Sequence, residues 1–302
     1  MEFLYFLEKY RLPVLNELML AVTTLGEETA FLVIGLIIFW CVDKRKGYYI
    51  MSVGFLGTML NQILKLSFRI PRPWVRDPNF TILEQAKEAA AGYSFPSGHT
   101  QTAMGAFGAI SVSSGKKWMK TCCILVAILV GFPRMYIGVH TPADVLVAAL
   151  CALILIFALK EPLLQGKECQ MKTVFAIMIG CALIFFGYVH LWDFPADMDS
   201  HNLESGIKNA YTMLGCTVGI AIVYVADQKW LNFPVEAKFW VQVLKVVLGL
   251  LLVLAVKEGL RAPLELILPI YPARALRYLL IVLTAGILWP MSFKYISKCG
   301  VK

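Results

Sequence analysis

Tyr93-Ser94-Phe95-Pro96-Ser97-Gly98-His99-Thr100 stands at the mouth of an apolar run and carries one of only four histidines in a chain of 302 residues. Proline is pre-set for the first turn of a helix and serine caps its free amides, so the octet reads as a helix start. Such a start offers unpaired N–H groups and the positive end of the helix dipole, which suits an anion such as phosphate. Taken alone, the octet reads equally as an ordinary capped loop. Its surroundings decide between the two.

Those surroundings are apolar. Hydrophobic residues make up 59% of the chain and charged residues 16%, and the mean hydropathy is +0.69. A soluble domain carries about a quarter of its residues as charges. The composition therefore predicts an integral membrane protein, all-α, a polytopic transmembrane helix bundle built from runs of about 20 residues. The net charge of +8 invites a nucleic-acid partner, but the lysines and arginines fall in small clusters between apolar runs, as orientation signals do. No basic face with interleaved aromatics appears, so no nucleic acid is expected. The eight cysteines show no metal-ligand spacing, and none falls in a loop on the outer face, so neither a zinc site nor a disulfide is expected. Residues 1–10 mix acidic and basic side chains with no cleavage site after a short apolar core, unlike a signal peptide.

Along the chain, residues 1–27 read as an amphipathic segment lying at a membrane interface, with Glu2, Glu8, Lys9 and Arg11 among apolar positions and Pro13 interrupting them. Residues 28–192 hold six apolar runs, at about 28–40, 47–68, 97–114, 121–137, 141–159 and 173–191. A long connection at 69–95 carries Trp74, Phe80 and Tyr93 as interfacial anchors and a short surface helix at 82–91, and a polar connection covers 160–172. Residues 193–302 add about three further spans, near 207–226, 240–256 and 275–289. Lys44, Arg45, Lys46, Lys116, Lys117, Lys120, Lys160, Lys167, Lys172, Lys229 and Lys238 recur on alternate connections, which places that face in the cytoplasm. The loop 69–95, the 134–140 junction and the acidic 193–204 stretch then face outward.

Three polar groups converge on that outer face. Lys65 and Arg72-Pro73 lie at the end of the second run, Pro96-Ser97-Gly98-His99 at the start of the third, and Arg134, His140 and Asp144 across the junction of the fourth and fifth. His140 and Asp144 are spaced to share one helix face. Ionisable groups at membrane depth are costly and normally face a cavity or each other. Arginine grips phosphate oxygens in bidentate fashion, and lysine acts as a point charge. Asp144 can accept one ring N–H of His140 and leave the other nitrogen free to attack, and His99 can protonate a departing oxygen. Singly, each has a plainer reading: Lys65 as a snorkelling lysine, the arginines as interface anchors, His140 and Asp144 as a helix-stabilising pair.

The spacing Lys65-x6-Arg72-Pro73, Pro96-Ser97-Gly98-His99, Arg134-x5-His140-x3-Asp144 resembles the three-part signature of the type 2 phosphatidic acid phosphatases, the superfamily that includes vanadium haloperoxidases and glucose 6-phosphatase. The resemblance covers about residues 28–192, which it marks as a six-helix phosphatase core with 193–302 as an extension of unassigned role. It implies His140 as the nucleophile forming a phosphohistidine, Asp144 as its orienting partner and His99 as general acid. It implies Lys65, Arg72, Ser97, Gly98 and Arg134 as the phosphate-binding set, with no metal ion and no cofactor. One position departs: the family has serine before the arginine of the third block, and this chain has Pro133. The lost hydroxyl would forfeit ~1.5–3 kcal/mol of hydrogen bonding to a charged group.

The resulting expectation is a membrane enzyme of bacterial type, with its site facing outside, that hydrolyses a lipid phosphomonoester or diphosphate. The alternatives are a sphingoid-base phosphate phosphatase, a sugar-phosphate phosphatase or a lipid phosphotransferase of the same superfamily. A lipid transporter or flippase belongs to a different class, and the absence of internal repeats weighs against it. His190 and His201 with Asp193, Asp197 and Asp199 read as an exposed acidic loop rather than a metal site, Lys245 as a snorkelling lysine, and Gly215-x3-Gly219 as a place for close helix packing.

Overall fold

The computed structural model describes residues 1–87, 90 and 92–296. Every regular element among them is helical. In order they are α1 (Glu2–Glu8), α2 (Pro13–Thr23), a 3-10 turn Thr24–Gly26, α3 (Glu28–Cys41), α4 (Lys44–Phe68), α5 (Pro73–Arg76), α6 (Gly98–Ser113), α7 (Lys117–Tyr136), α8 (Pro142–Leu164) and α9 (Glu168–Leu191). After these come α10 (Ser200–Ala226), α11 (Phe239–Gly259), α12 (Arg261–Ile267), α13 (Ile270–Leu283), α14 (Trp289–Met291) and α15 (Phe293–Ile296). Of the surface helix expected at 82–91, a 3-10 turn at Glu84–Ala86 is seen; Glu88, Ala89 and Ala91 lie outside the described residues. The polar connection expected at 160–172 shrinks to residues 165–167, because α8 continues to Leu164 and α9 starts at Glu168.

Among the described residues, six helical stretches are long and apolar enough to cross a membrane: Lys117–Tyr136, Pro142–Leu164, Glu168–Leu191, Ser200–Leu231, Phe239–Ile267 and Ile270–Ile296. The protein is a multi-pass membrane protein. The pair Pro13–Gly26 and Glu28–Cys41, bent by 51°, would make a seventh, broken span. Two runs expected to span do not reach that standard. Helix α6 has 16 residues, about 24 Å of rise against a hydrocarbon core of about 30 Å. Helix α4 has 25 residues but carries Lys44, Arg45, Lys46, Asn61, Gln62 and Lys65. Both carry residues of the polar cluster described below.

The chain divides into two compact units. The first comprises residues 1–32, 56–160 and 194–206. Its centre is α6 packed along α7, with α2 also against α7. Helix α6 is rich in small residues, and the ones that matter are Gly105, Ala106, Gly108 and Ala109, all buried. A Cβ on Gly108 would come within 2.6 Å of Ile156 Cδ1, so the missing side chain leaves room for Ile156 of α8 against α6. The N-terminal segment docks here too. Arg11 Nε donates to Tyr136 O at 3.0 Å and its guanidinium lies over the Phe80 ring. Phe80 is therefore buried at 3% exposure rather than serving as an interfacial anchor.

The second unit comprises residues 33–55, 161–193 and 207–302. Helices α10 and α13 approach closely at Gly215, where a Cβ would collide with Ala275 O, and at Gly219, where one would meet Val282 Cβ at 2.9 Å. Lys245 is fully buried rather than snorkelling. Its ammonium donates to Pro234 O at 3.2 Å and Val235 O at 3.1 Å, and sits 4.6 Å from the Phe293 ring centroid. The irregular backbone after α10 supplies the acceptors that a cation inside apolar surroundings needs.

Candidate functional site

All eight side chains singled out in the sequence lie in the first unit. The octet opens a helix as expected, although Pro96 precedes the cap instead of sitting in the first turn. Ser97 is the N-cap of α6, and its Oγ accepts from Thr100 N at 3.4 Å and Thr100 Oγ1 at 2.9 Å. As both contacts are accepted, the Ser97 hydroxyl proton remains available to an anion. The capped amide is that of Thr100, so the amides of Gly98 and His99 precede it as first-turn donors.

The second and third sequence blocks are stitched together through the backbone. Ser97 N donates to Asp144 O at 3.0 Å, which sets the start of α6 against the start of α8. Asp144 Oδ2 accepts from Ser94 Oγ at 2.6 Å and Thr141 N at 2.8 Å, and lies 3.5 Å from His140 Nδ1. The turn that delivers His140 depends on Gly138, whose φ of +88° favours glycine and whose added Cβ would meet Arg11 Nη2 at 2.8 Å. His140 N and Val139 N both donate to Arg134 O at 3.1 Å, so the last turn of α7 fixes the histidine relative to the arginine.

The first block arrives from α4 and the loop after it. Arg72 Nη1 donates to His140 Nε2 at 2.9 Å and to Val139 O at 2.9 Å, and Arg72 Nε donates to Gly92 O at 2.9 Å. A guanidinium only donates, so Nε2 carries the lone pair and Nδ1 the proton; this tautomer is assigned from the hydrogen-bond network. It is the tautomer in which Nδ1–H faces Asp144. Lys65 Nζ donates to Tyr93 O at 2.6 Å. Arg134 Nη1 donates to Thr23 Oγ1 at 2.9 Å, while its Nε is buried without a partner among the described residues.

Burial is deep. Arg72 is 6% exposed, Arg134 2%, His140 1% and Asp144 2%. Burial draws the Arg72 pKa down to about 10, with Asp144 opposing, so the guanidinium stays charged at neutral pH. Burial first, then the charges of Arg72, Arg134 and Lys65 and the neighbouring His99, hold His140 well below its ordinary value and therefore neutral. Among the described residues, Asp144 acts on Lys65 and Arg72, and the exposed Glu27 acts on Arg134. Buried cations of this kind favour an anionic ligand, and a phosphomonoester carries about −1.5 to −2 near neutral pH.

His99 sits on the second residue of α6, pressed close to the N-terminal segment. A Cβ on Gly26 would meet His99 O at 2.8 Å and Val130 Cγ1 at 2.7 Å. Three polar contributors escaped the sequence reading. Ser94 lies inside the quoted octet and was legible there as a hydroxyl; Thr141 and Thr23 carry no signal in the sequence. The His190 and His201 region forms no group able to hold a metal ion among the described residues.

Comparison with known proteins gives a consistent picture. The family model described as PAP2 superfamily matches residues 45–161, and that described as PAP2 superfamily phosphatase, transmembrane extension, matches residues 211–299. The chain is 30% identical over 165 residues to phosphatidylglycerophosphatase B of Bacillus subtilis (strain 168), covering 50% of this chain and 76% of that protein. It is 32% identical over 131 residues to undecaprenyl-diphosphatase BcrC of the same organism, covering 42% and 64% respectively. A probable sphingosine-1-phosphate phosphatase of Dictyostelium discoideum is 28% identical over 194 residues, covering 59% of this chain and 47% of that protein. No solved structure matches the chain.

Proposed function

The chain belongs to the PAP2 superfamily and is a phosphatase, and we propose that it hydrolyses a lipid phosphomonoester or diphosphate through a phosphohistidine at His140. The observation that carries the proposal is the cluster Arg72, His140, Asp144: a cation 2.9 Å from Nε2, a carboxylate 3.5 Å from Nδ1, and both held by neighbouring backbone and hydroxyl groups. The names of the relatives supply the lipid class, since two concern phosphatidylglycerophosphate and undecaprenyl diphosphate.

The reaction runs in two steps. The Nε2 lone pair of His140 attacks phosphorus as the bond from phosphorus to the departing oxygen breaks, and His99, which takes up a proton once the phosphate's negative charge is in the site, gives that proton to the oxygen. The imidazolium that forms keeps its Nδ1 proton on Asp144. Water then attacks the phosphohistidine, losing a proton to His99, and the P–N bond breaks to return His140 neutral with its Nε2 lone pair. Lys65, Arg72, Arg134, the Ser97 hydroxyl and the Gly98 amide hold the phosphate oxygens through both steps. Side-chain cations supply the charge that a divalent metal supplies elsewhere, so turnover needs no metal ion.

In this reading the site faces the non-cytoplasmic side of a bacterial cytoplasmic membrane, an orientation supported by the lysine distribution, and the lipid tail stays in the bilayer while its headgroup enters. Residues 28–192 act as the catalytic core, and 193–302 as a membrane-embedded extension.

The test is direct. Purified protein should release inorganic phosphate from a lipid phosphate in excess EDTA, lose that activity to vanadate, and yield on acid-free quenching a base-stable, acid-labile phosphoprotein that His140→Ala abolishes. Undiminished turnover by His140→Ala overturns the covalent mechanism. Lipid movement without phosphate release would favour transport.

A further inference from the structure

A cavity of about 90 Å³ opens beside Lys65, lined by Gln62, Lys65, Gly92, His201, Asn202 and Ser205. It lies within the first unit and shares Lys65 with the cation cluster, whose charge acts on both His99 and His140. Its polar lining is an ammonium, an imidazole, two amides and a hydroxyl. No carboxylate lines it among the described residues. That inventory is unexpected on a segment that reads as an acidic loop, for Asp199 and Glu204 flank the lining residues without joining them.

The wall is built rather than incidental. Asn202 Oδ1 accepts from Tyr93 N at 2.9 Å, and Asn202 N donates to Asp199 Oδ1 at 2.9 Å. With Oδ1 turned to the Tyr93 amide, the NH2 of the Asn202 side chain is the group placed to donate. Gly92 has a φ of +86° and a Cβ there would lie 2.7 Å from Asn202 Oδ1, while a Cβ on Gly206 would lie 2.7 Å from Leu66 Cδ1. Both glycines therefore let the start of α10 close against α4 and the loop at residue 92. Tyr93 also holds Lys65 through its carbonyl, so one residue positions the cation and the opposite wall together.

We propose that this cavity is a second-phosphate subsite, which takes the phosphate left on the lipid when a diphosphate is cleaved. Lys65 serves both phosphates. The terminal phosphorus forms its bond to His140 Nε2, the bridging P–O bond breaks, and the bridging oxygen stays with the lipid phosphate. His201, Asn202, Gln62 and Ser205 donate hydrogen bonds to the oxygens of that phosphate as its charge grows. The proposal rests on the phosphatase reading above and adds to it a structural reason for preferring diphosphates.

Farnesyl diphosphate and farnesyl phosphate share one tail and differ by the second phosphate, so the ratio of their kcat/KM values reads the subsite alone. Asn202→Asp keeps the oxygen that Tyr93 N requires and puts a carboxylate in the lining. The ratio is expected to fall by about tenfold or more, the loss of hydrogen bonds to a charged group plus a repulsion. His201→Ala should lower it in the same direction. Inorganic pyrophosphate should compete with substrate better than orthophosphate does, and raise the thermal midpoint of the wild type more than that of Asn202→Asp. A ratio and an inhibition order within about twofold of wild type in both variants would overturn the subsite and leave the phosphatase reading intact. If the wild type hydrolyses neither lipid, the phosphatase reading falls, and the pyrophosphate thermal shift still decides the subsite.

Discussion

Arg72 Nη1 lies 2.9 Å from His140 Nε2 and 3.5 Å from Nδ1, the nitrogen that faces Asp144. This contact does two things at once. It assigns the lone pair to Nε2, because a guanidinium has nothing to accept with. It also leaves the cation one hydrogen bond away from any oxygen carried by a phosphorus that approaches that nitrogen. The nucleophilic atom and the charge that attracts its target are thus set by a single pair of side chains.

Arg72→Lys should therefore be costly although it keeps the charge. A lysine cannot reproduce the two contacts that Nη1 makes to Val139 O and His140 Nε2 together with that of Nε to Gly92 O. kcat/KM for a lipid phosphate is expected to fall on the order of tenfold to a hundredfold, and Arg72→Ala further. Steady-state phosphate release checks this, and a lysine variant within about twofold of wild type would remove the argument.

Ser94 acts through Asp144, and its signature is kinetic. Its hydroxyl donates to Asp144 Oδ2 at 2.6 Å, beside the Thr141 amide. Ser94→Ala should reduce kcat by about tenfold with little change in KM, because the lost interaction orients the histidine rather than holding the substrate. Combined with Asp144→Asn, it should add much less than it costs alone, since both act through one network. Full additivity in that double-mutant cycle would sink the assignment.

The sequence made much of this visible, and the limits are physical. Lys65, Arg72, His99, Arg134, His140 and Asp144 carry chemistry that is expensive in an apolar chain, so their spacing stands out against the background. Ser97 declared itself as a cap, and it is one. Thr23 could not be read this way, because a threonine near the end of an amphipathic helix is ordinary until the fold brings it 111 residues back onto Arg134. The same holds for Lys245, which looks like a snorkelling lysine until the chain after α10 folds two carbonyls onto it. Helices α4 and α6 carry polar positions within their apolar runs. Burial of Asn61, Gln101 and Ser97 in the first unit shows their polar positions turned to protein.

Thr23 supplies a hydroxyl to the arginine whose preceding residue is Pro133 rather than serine. Removing it with Thr23→Val leaves Nη1 of Arg134 as well as Nε without a partner in a buried place, at ~1–3 kcal/mol. The expected result is an inhibition constant for vanadate raised about tenfold, restored by Thr23→Ser. Equal inhibition of Thr23→Val and Thr23→Ser would show that the hydroxyl does not matter.

The pH dependence of stability follows from His140. Its folded pKa is held well below 6.5, first by burial and then by Arg72, Arg134 and Lys65. Above about pH 6.5 folded and unfolded chains both hold the ring neutral, and stability is unaffected. As pH falls through that value, the unfolded chain takes up a proton that the folded chain refuses. Stability then drops by up to ~1.4 kcal/mol per pH unit until the folded pKa is reached. The apparent Tm in detergent should be level between about pH 7 and 8 and decline toward about pH 5. The non-titrating His140→Asn variant should decline less over the same interval, the difference between the two curves being the histidine's share. Parallel acid limbs for the wild type and His140→Asn would mean that the folded protein protonates this ring as readily as water does, which its 1% exposure and three neighbouring cations forbid.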